Sequence, residues 1–102
     1  MIRSLFTAAT GLSAQQFEQD VVANNLANVN TVGFKKSRAN FQDLMYQIYS
    51  KAGATSGTGI QLPSGIEVGM GVKPISTQKI FSQGDYQQTG NALDWAIEGD
   101  GF

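Results

Sequence analysis

Ile2, Leu5, Ala9, Leu12, Ala23 and Leu26 fall on the a and d positions of one seven-residue repeat, with Gln16 and Gln19 filling its middle pair. Phe6, Ala14, Phe17, Val21 and Val22 widen the apolar sector. The spacing predicts a helix from about Arg3 to Asn28, about 38 Å long at 1.5 Å per residue. A helix that is apolar around so much of its circumference must bury those side chains against something. No other stretch of the 102 residues matches it in length and period. Two readings stay open: the helix lies on the sheet-forming part of its own small domain, or it packs against other subunits or a helix outside these residues.

The rest of the chain changes character twice. "NTVGFKK" marks the exit from the helix, with Asn30 and Thr31 as turn formers and Gly33 free to take a positive φ. Phe41, Leu44, Met45, Ile48 and Tyr49 then stand at i, i+3, i+4, i+7 and i+8, which predicts a short second amphipathic helix. "KAGATSGTGIQLPSG" reads as an extended Gly/Ser-rich excursion, either a plain surface loop or something with a task. From about Ile66 the period becomes two: "IEVGMGV", "PISTQKIF" and "ALDWAIEG" read as short antiparallel strands separated by turns. The expected fold class is α+β: a long coiled-coil-type N-terminal helix, a short second helix, the excursion, then strands of an incomplete β domain. The divisions expected are 1–33 as a helical assembly domain, 34–66 as a connecting segment, and 67–102 as the start of a β-rich outer domain. The halt at "EGDGF", on an apolar residue after a turn signal, reads as the front portion of a longer protein.

Composition removes most chemistry. There is no cysteine and no histidine, so thiolate and imidazole metal sites, Ser-His and Cys-His nucleophile pairs and the usual neutral-pH proton shuttle cannot be built. The eight carboxylates, Glu18, Asp20, Asp43, Glu67, Asp85, Asp94, Glu98 and Asp100, show no spacing that would hold a pair across a cleft. Gly57 with Gly59 and Gly69 with Gly71 do not extend into a nucleotide-binding glycine loop. No catalytic residue, cofactor or metal is expected. A formal net charge of −1 argues against nucleic-acid binding, which calls for a basic excess. The one basic cluster, "KKSR", reads as a solvated face, with pairing to a neighbour's acids through Arg38 as the alternative. The opening residues carry no secretory signal pattern and no bilayer-length apolar run, so any export proceeds without a cleaved leader. A membrane-surface role for the helix is disfavoured by its charge, since only Arg3 precedes Lys35.

The end of the helix is dense in asparagine: Asn24, Asn25, Asn28 and Asn30 lie within ten residues. Each costs roughly half a kcal/mol of helix propensity relative to alanine. Buried between helices, carboxamides that both donate and accept would fix register; capping of the helix end by Asn28 or Asn30 is the competing account.

"ANNLANVNTVGFKKSR" resembles the N-terminal signature of the flagellar basal-body rod and hook family, an Asn-Asn-Leu-Ala-Asn core followed by Gly-Phe and basic residues. "MIRSLFTAATGLSAQQ" and "ISTQKIFSQGDYQQTGNALDWAIEGDGF" are similar to that family too, so the likeness covers most of the chain. The stretch from Phe41 to Pro74 looks like that of the family's distal-rod branch, with hook or proximal-rod subunits as the alternative. The resemblance implies a non-enzymatic structural subunit that polymerises into a tubular drive shaft carrying motor torque to the hook. It implies Leu5, Leu12, Phe17, Val21 and Leu26 as helix-packing residues, and Asn24, Asn25, Leu26, Asn28, Gly33 and Phe34 as the register and exit motif. Tyr46 to Gly65, with Tyr49, Leu62 and Pro63 inside it, would brace neighbouring subunits. The implied partners are many copies of itself, proximal rod and hook proteins, the surrounding ring proteins and the flagellar type III export apparatus. The implied place is the basal body, in a rod that spans the periplasm.

Overall fold

A computed structural model describes all residues, 1–102. The first element is α1, Ile2–Ala27. It ends where the asparagines begin to bond locally: the Asn28 backbone and side-chain N–H groups both donate to the Asn24 carbonyl, and the Thr31 hydroxyl donates to Asn28 Oδ1. These bonds satisfy carbonyls that the last turn would otherwise leave open. The chain then reverses through Gly33, whose φ of 74° is open to glycine without a Cβ clash.

Six strands follow: β1 Ser37–Asp43, β2 Tyr46–Ser50, β3 Thr55–Gly57, β4 Ile60–Gln61, β5 Ile66–Gly69 and β6 Val72–Lys79. They pair as β1 with β6, β2 with β5 and β3 with β4, all antiparallel. The pairing is nested, so residues 37–79 make one long two-stranded hairpin broken into three sections. The inner section is the root, where Ser37 faces Lys79 and Asp43 faces Val72. A bulge at Asn40 and Phe41 falls opposite Pro74, which has no N–H to give to a ladder. The root lies along α1, while the outer sections continue past it.

The molecule is therefore an elongated strip of 83 × 31 × 16 Å. Its radius of gyration is 23.7 Å, against about 13 Å for a compact domain of this size. Only Ala14 is buried, at 3% exposure.

Two expectations are corrected. The second amphipathic helix over Phe41 to Tyr49 does not form; the same residues supply the end of β1, a break at Leu44 and Met45, and most of β2. The helical spacing of five apolar residues is outweighed by backbone pairing with 66–79, and Tyr46, Ile48 and Tyr49 favour strands. No helix-facing surface exists there to reward the alternative, and Met45 stands 83% exposed. "ALDWAIEG" forms no strand either: residues 80–102 contain no strand, because the chain offers them no ladder to join. They are held by local contacts, among them Thr89 Oγ1 donating to Asp94 at 2.6 Å and Phe81 edge-on to Phe102 at 6.1 Å. The excursion is a paired hairpin arm, with Gly53 and Leu62 continuing the pairing toward its tip.

Candidate assembly interface

The two faces of α1 have different fates. Arg3, Thr7, Thr10, Ala14, Phe17, Val21, Asn25 and Asn28 are shielded or half-shielded, and they recur at intervals of three and four. The a and d residues are open: Leu5 is 68% exposed, Leu12 72% and Leu26 70%. At about 100° per residue the centres of these two stripes lie roughly 180° apart around the helix. The ribbon thus covers the stripe made by Ala14, Phe17 and Val21, and the heptad stripe faces away from everything in the chain. Of the five helix-packing residues expected from sequence, Phe17 and Val21 sit on the covered side, and Leu5, Leu12 and Leu26 on the open one.

Two polar contacts fix the ribbon against the helix. Asn25 Nδ2 donates to the Ser37 carbonyl at 2.7 Å, and the Ser37 N–H donates to Asn25 Oδ1 at 3.0 Å. The carboxamide thereby imitates a strand neighbour at the first residue of β1. Farther toward the helix start, the Thr10 hydroxyl accepts from the Val72 N–H at 3.4 Å and donates to the Thr7 carbonyl at 2.7 Å. A Cβ on Gly71, whose φ is 119°, would collide with Thr10 Oγ1, so glycine is what lets the ribbon approach this closely.

The asparagines separate by role. Asn25 is engaged with β1, Asn28 closes the helix end, and Asn24 is exposed with its carbonyl taken by Asn28. Leu26 projects outward beside them. Phe34 is half-buried, with Lys79 Nζ 5.4 Å from its ring centre, and Lys35 Nζ donates to the Ser82 carbonyl at 2.9 Å. The basic cluster is thus partly tied to the far strand of the root. Arg38 reaches Gln78 Oε1 at 3.2 Å.

On the arm, the Tyr46 ring lies over Gly69, 3.2 Å from where a Cβ would stand. The Asp43 carboxylate beside its hydroxyl, through a hydrogen bond and through charge, raises the phenol above its ordinary range. Tyr49 is the extra residue in a bulge, since Ile48 faces Glu67 and Ser50 faces Ile66. Its hydroxyl accepts from Arg3 Nη1 at 2.6 Å. Leu62 and Pro63 are exposed, and Gly65 passes against the Ser50 carbonyl with no room for a side chain. Arg3 and Tyr49 border a shallow cavity of about 320 Å³. No three His, Cys, Asp or Glu side chains gather to hold a metal, and no helix is long and apolar enough to cross a membrane. The Asn25–Ser37 and Arg3–Tyr49 contacts carried no sequence signal: the asparagine density pointed to the helix end, not to a strand twelve residues on.

The arrangement offers an open apolar stripe on one side of a helix and a long thin arm on the other. Residues 5–35 match the family described as "Flagella basal body rod protein". Over 102 residues the chain is 54% identical to the flagellar basal-body rod protein FlgG of Buchnera aphidicola subsp. Schizaphis graminum, covering all of this chain and 39% of that protein. It is 53% identical to FlgG of Borreliella burgdorferi, of which it covers 38%, and 46% identical to the hook protein FlgE of Helicobacter pylori, of which it covers 14%. The chain spans about two-fifths of the length of these FlgG relatives. Matched over its whole length, and with identity to these FlgG proteins above that to the hook protein, the chain resembles the flagellar basal-body rod and hook family and, within it, FlgG.

Proposed function

We propose that the chain is the assembly-forming part of a structural, non-enzymatic subunit of the flagellar distal rod, which polymerises into a rigid tube carrying torque to the hook. The observation that carries this reading is the open heptad stripe of α1 on a molecule with a single buried residue. A surface of that kind is stable in water only when covered. Head-to-tail contacts that do not close into a ring build a helical filament, which suits a tube of many copies. In this reading Leu5, Leu12 and Leu26 pack between neighbouring helices, while Phe17 and Val21 hold the helix to the ribbon behind it. Asn24 and the outward edge of the Asn-Asn-Leu-Ala-Asn segment set register between neighbours; Gly33 and Phe34 shape the exit. The division into 1–33, 34–66 and 67–102 is kept as a division of tasks: assembly, connection with bracing, and the beginning of an outer part.

The arm from Tyr46 to Gly65 braces adjacent subunits through Tyr46, Tyr49, Leu62 and Pro63. It has two open strand edges and exposed apolar side chains, so neighbours can pair with its backbone and cover its faces. The partners proposed are further copies, proximal rod and hook proteins, the surrounding ring proteins, and the type III export apparatus that delivers the subunit to a basal-body rod crossing the periplasm. Deleting residues 46–65 tests the bracing role. Loss of straight, stiff rods in electron micrographs of the purified basal body is expected; rods of unchanged straightness and length would remove the role.

A second reading, a hook subunit, is favoured by the match of this whole chain to FlgE proteins, of which it covers 14% and 22%. Micrographs of the polymer separate the two, since a supercoiled, bendable tube belongs to a hook and a straight one to a shaft.

A further inference from the structure

The outer arm is joined to the rest of the molecule by a break in both strands. On one strand Leu44 and Met45 lie between β1 and β2; on the other Met70 and Gly71 lie between β5 and β6. The two breaks are opposite each other, bridged by the Leu44 N–H donating to the Gly71 carbonyl at 2.8 Å. On the root side the ribbon is seated on the helix by Thr10 and Asn25. On the arm side one polar contact returns to the helix, from Arg3 in its first turn to Tyr49.

That contact is built by the fold. The bulge between Ile48 and Ser50 frees Tyr49 from the ladder, and bulges re-aim side chains. Tyr49 meets Arg3 twice: its hydroxyl accepts from Nη1 at 2.6 Å, and its ring centre lies 5.4 Å from Cζ. The remaining donors, Nε and Nη2, are shielded from water and have no partner. Closing the arm over Arg3 therefore gains a charge-assisted hydrogen bond and a cation–π contact, and loses hydration of two donors. The lost hydration offsets part of the gain, so the contact holds the arm by a small margin and can open.

We propose that the paired breaks at Leu44–Met45 and Met70–Gly71 form a hinge, and that Arg3 and Tyr49 are the latch that holds the outer arm alongside the start of α1. The latch is a property of the single chain and stands whether or not the polymer is a distal rod. It gives the arm two positions: one tied at its base to the first turn of its own helix and continuing past it, the other released toward a neighbour. Glycine at 71 serves the hinge as well as the approach to Thr10, since its φ of 119° lies where side chains rarely go.

The chain has no cysteine, so paired spin labels can be placed freely. Labels at Asp20→Cys and Thr58→Cys on the purified full chain as a monomer report the arm angle by pulsed electron resonance. Labels at Asp20→Cys and Gln42→Cys report the root on the helix. The expected result is a narrow long-distance population for the tip pair, since the latched arm continues past the helix start, and this population falls about threefold in Arg3→Ala and in Tyr49→Leu, a change of the size such contacts produce. Tyr49→Phe, which keeps the ring and loses the hydroxyl, falls between, and the root pair is unchanged in all three. A tip pair without a preferred distance in the parent chain, or one equally narrow in Arg3→Ala and Tyr49→Leu, overturns the latch. So does a root pair that broadens together with the tip pair in both variants, because the contact would then be supporting the whole fold and not the arm's angle.

Discussion

Asn25 and Ser37 exchange two hydrogen bonds, the carboxamide giving 2.7 Å to the Ser37 carbonyl and taking 3.0 Å from its N–H. This fixes where the strand begins relative to the helix, and therefore where every later residue of the root falls along it. Asn25→Ala leaves a part-buried donor and acceptor without partners, a loss of about 1–3 kcal/mol. Asn25→Asp keeps the acceptor but sets a carboxylate against the Ser37 carbonyl, so it does not rescue. The measurement is amide exchange at Ser37 in the full-length protein, which is expected to rise by at least about tenfold in both variants. Equal protection in Asn25→Ala would mean that another group holds the strand.

Gly71→Ala places a methyl group on the Thr10 hydroxyl in a backbone region that disfavours side chains. The helix and ribbon must separate or the turn must refold, and a destabilisation of about 1–3 kcal/mol is expected. Adding Thr10→Ala removes the clashing oxygen and leaves the backbone penalty. The double variant should therefore recover part of the loss but not all of it, in denaturant titrations of the full-length protein. A double variant worse than Gly71→Ala alone would show that the Thr10 bond to Val72 outweighs the clash.

The Tyr46 phenol titrates above the ordinary 10.0 because a hydrogen bond to Asp43 and the Asp43 charge favour its neutral form, with smaller contributions from desolvation and Glu67. For a group raised on folding, the associated stability is present below the ordinary value and is lost as pH rises through the raised one. The root end of the arm should therefore loosen only in strong alkali, past the ordinary phenol range. The ring-carbon chemical shift of Tyr46 is expected to turn over above 10.0, and Asp43→Asn should bring the turnover down toward it. A turnover that Asp43→Asn leaves unmoved would remove the Asp43 contact.

The helix and its open stripe were legible because heptad spacing states both the element and its need for cover. The turn at Gly33 was legible from one residue's freedom. Phe41 to Tyr49 misleads because five apolar residues at helical spacing are also an acceptable strand when a partner strand exists, and the partners, Pro74 for Phe41 and Glu67 for Ile48, lie far along the sequence. Nothing local in "KAGATSGTGIQLPSG" marks the pairing of the arm, since Gly, Ser and Thr give a ribbon little side-chain signal. The contacts that seat the ribbon, Asn25 with Ser37 and Thr10 with Val72, join common residues at long separation, and nothing local marks them. For residues 80–102 the strand expected at "ALDWAIEG" does not form, because an alternating pattern makes no strand without a ladder to join.

The open stripe makes a claim that separates assembly from folding. Leu12 is 72% exposed at the middle of the heptad face, while Phe17 is half-shielded on the ribbon side. Leu12→Glu puts a charge on the face that the proposed assembly covers with a neighbouring helix, and desolvating an unpaired carboxylate there would oppose association strongly. In the monomer the same glutamate stands in water on a good helix former, so the chain's own structure should be unaffected. The expected outcome is a rise of at least about tenfold in the concentration needed for polymerisation, more than 1.4 kcal/mol per contact. The helical circular dichroism of the monomer should stay unchanged. Phe17→Ala should behave the opposite way, loosening the helix from the ribbon in the monomer by about 1–3 kcal/mol, less than full burial would give. Polymerisation of Leu12→Glu at the parent's concentration would show that the heptad face is not the surface that neighbours cover, and the assembly reading of α1 would go with it.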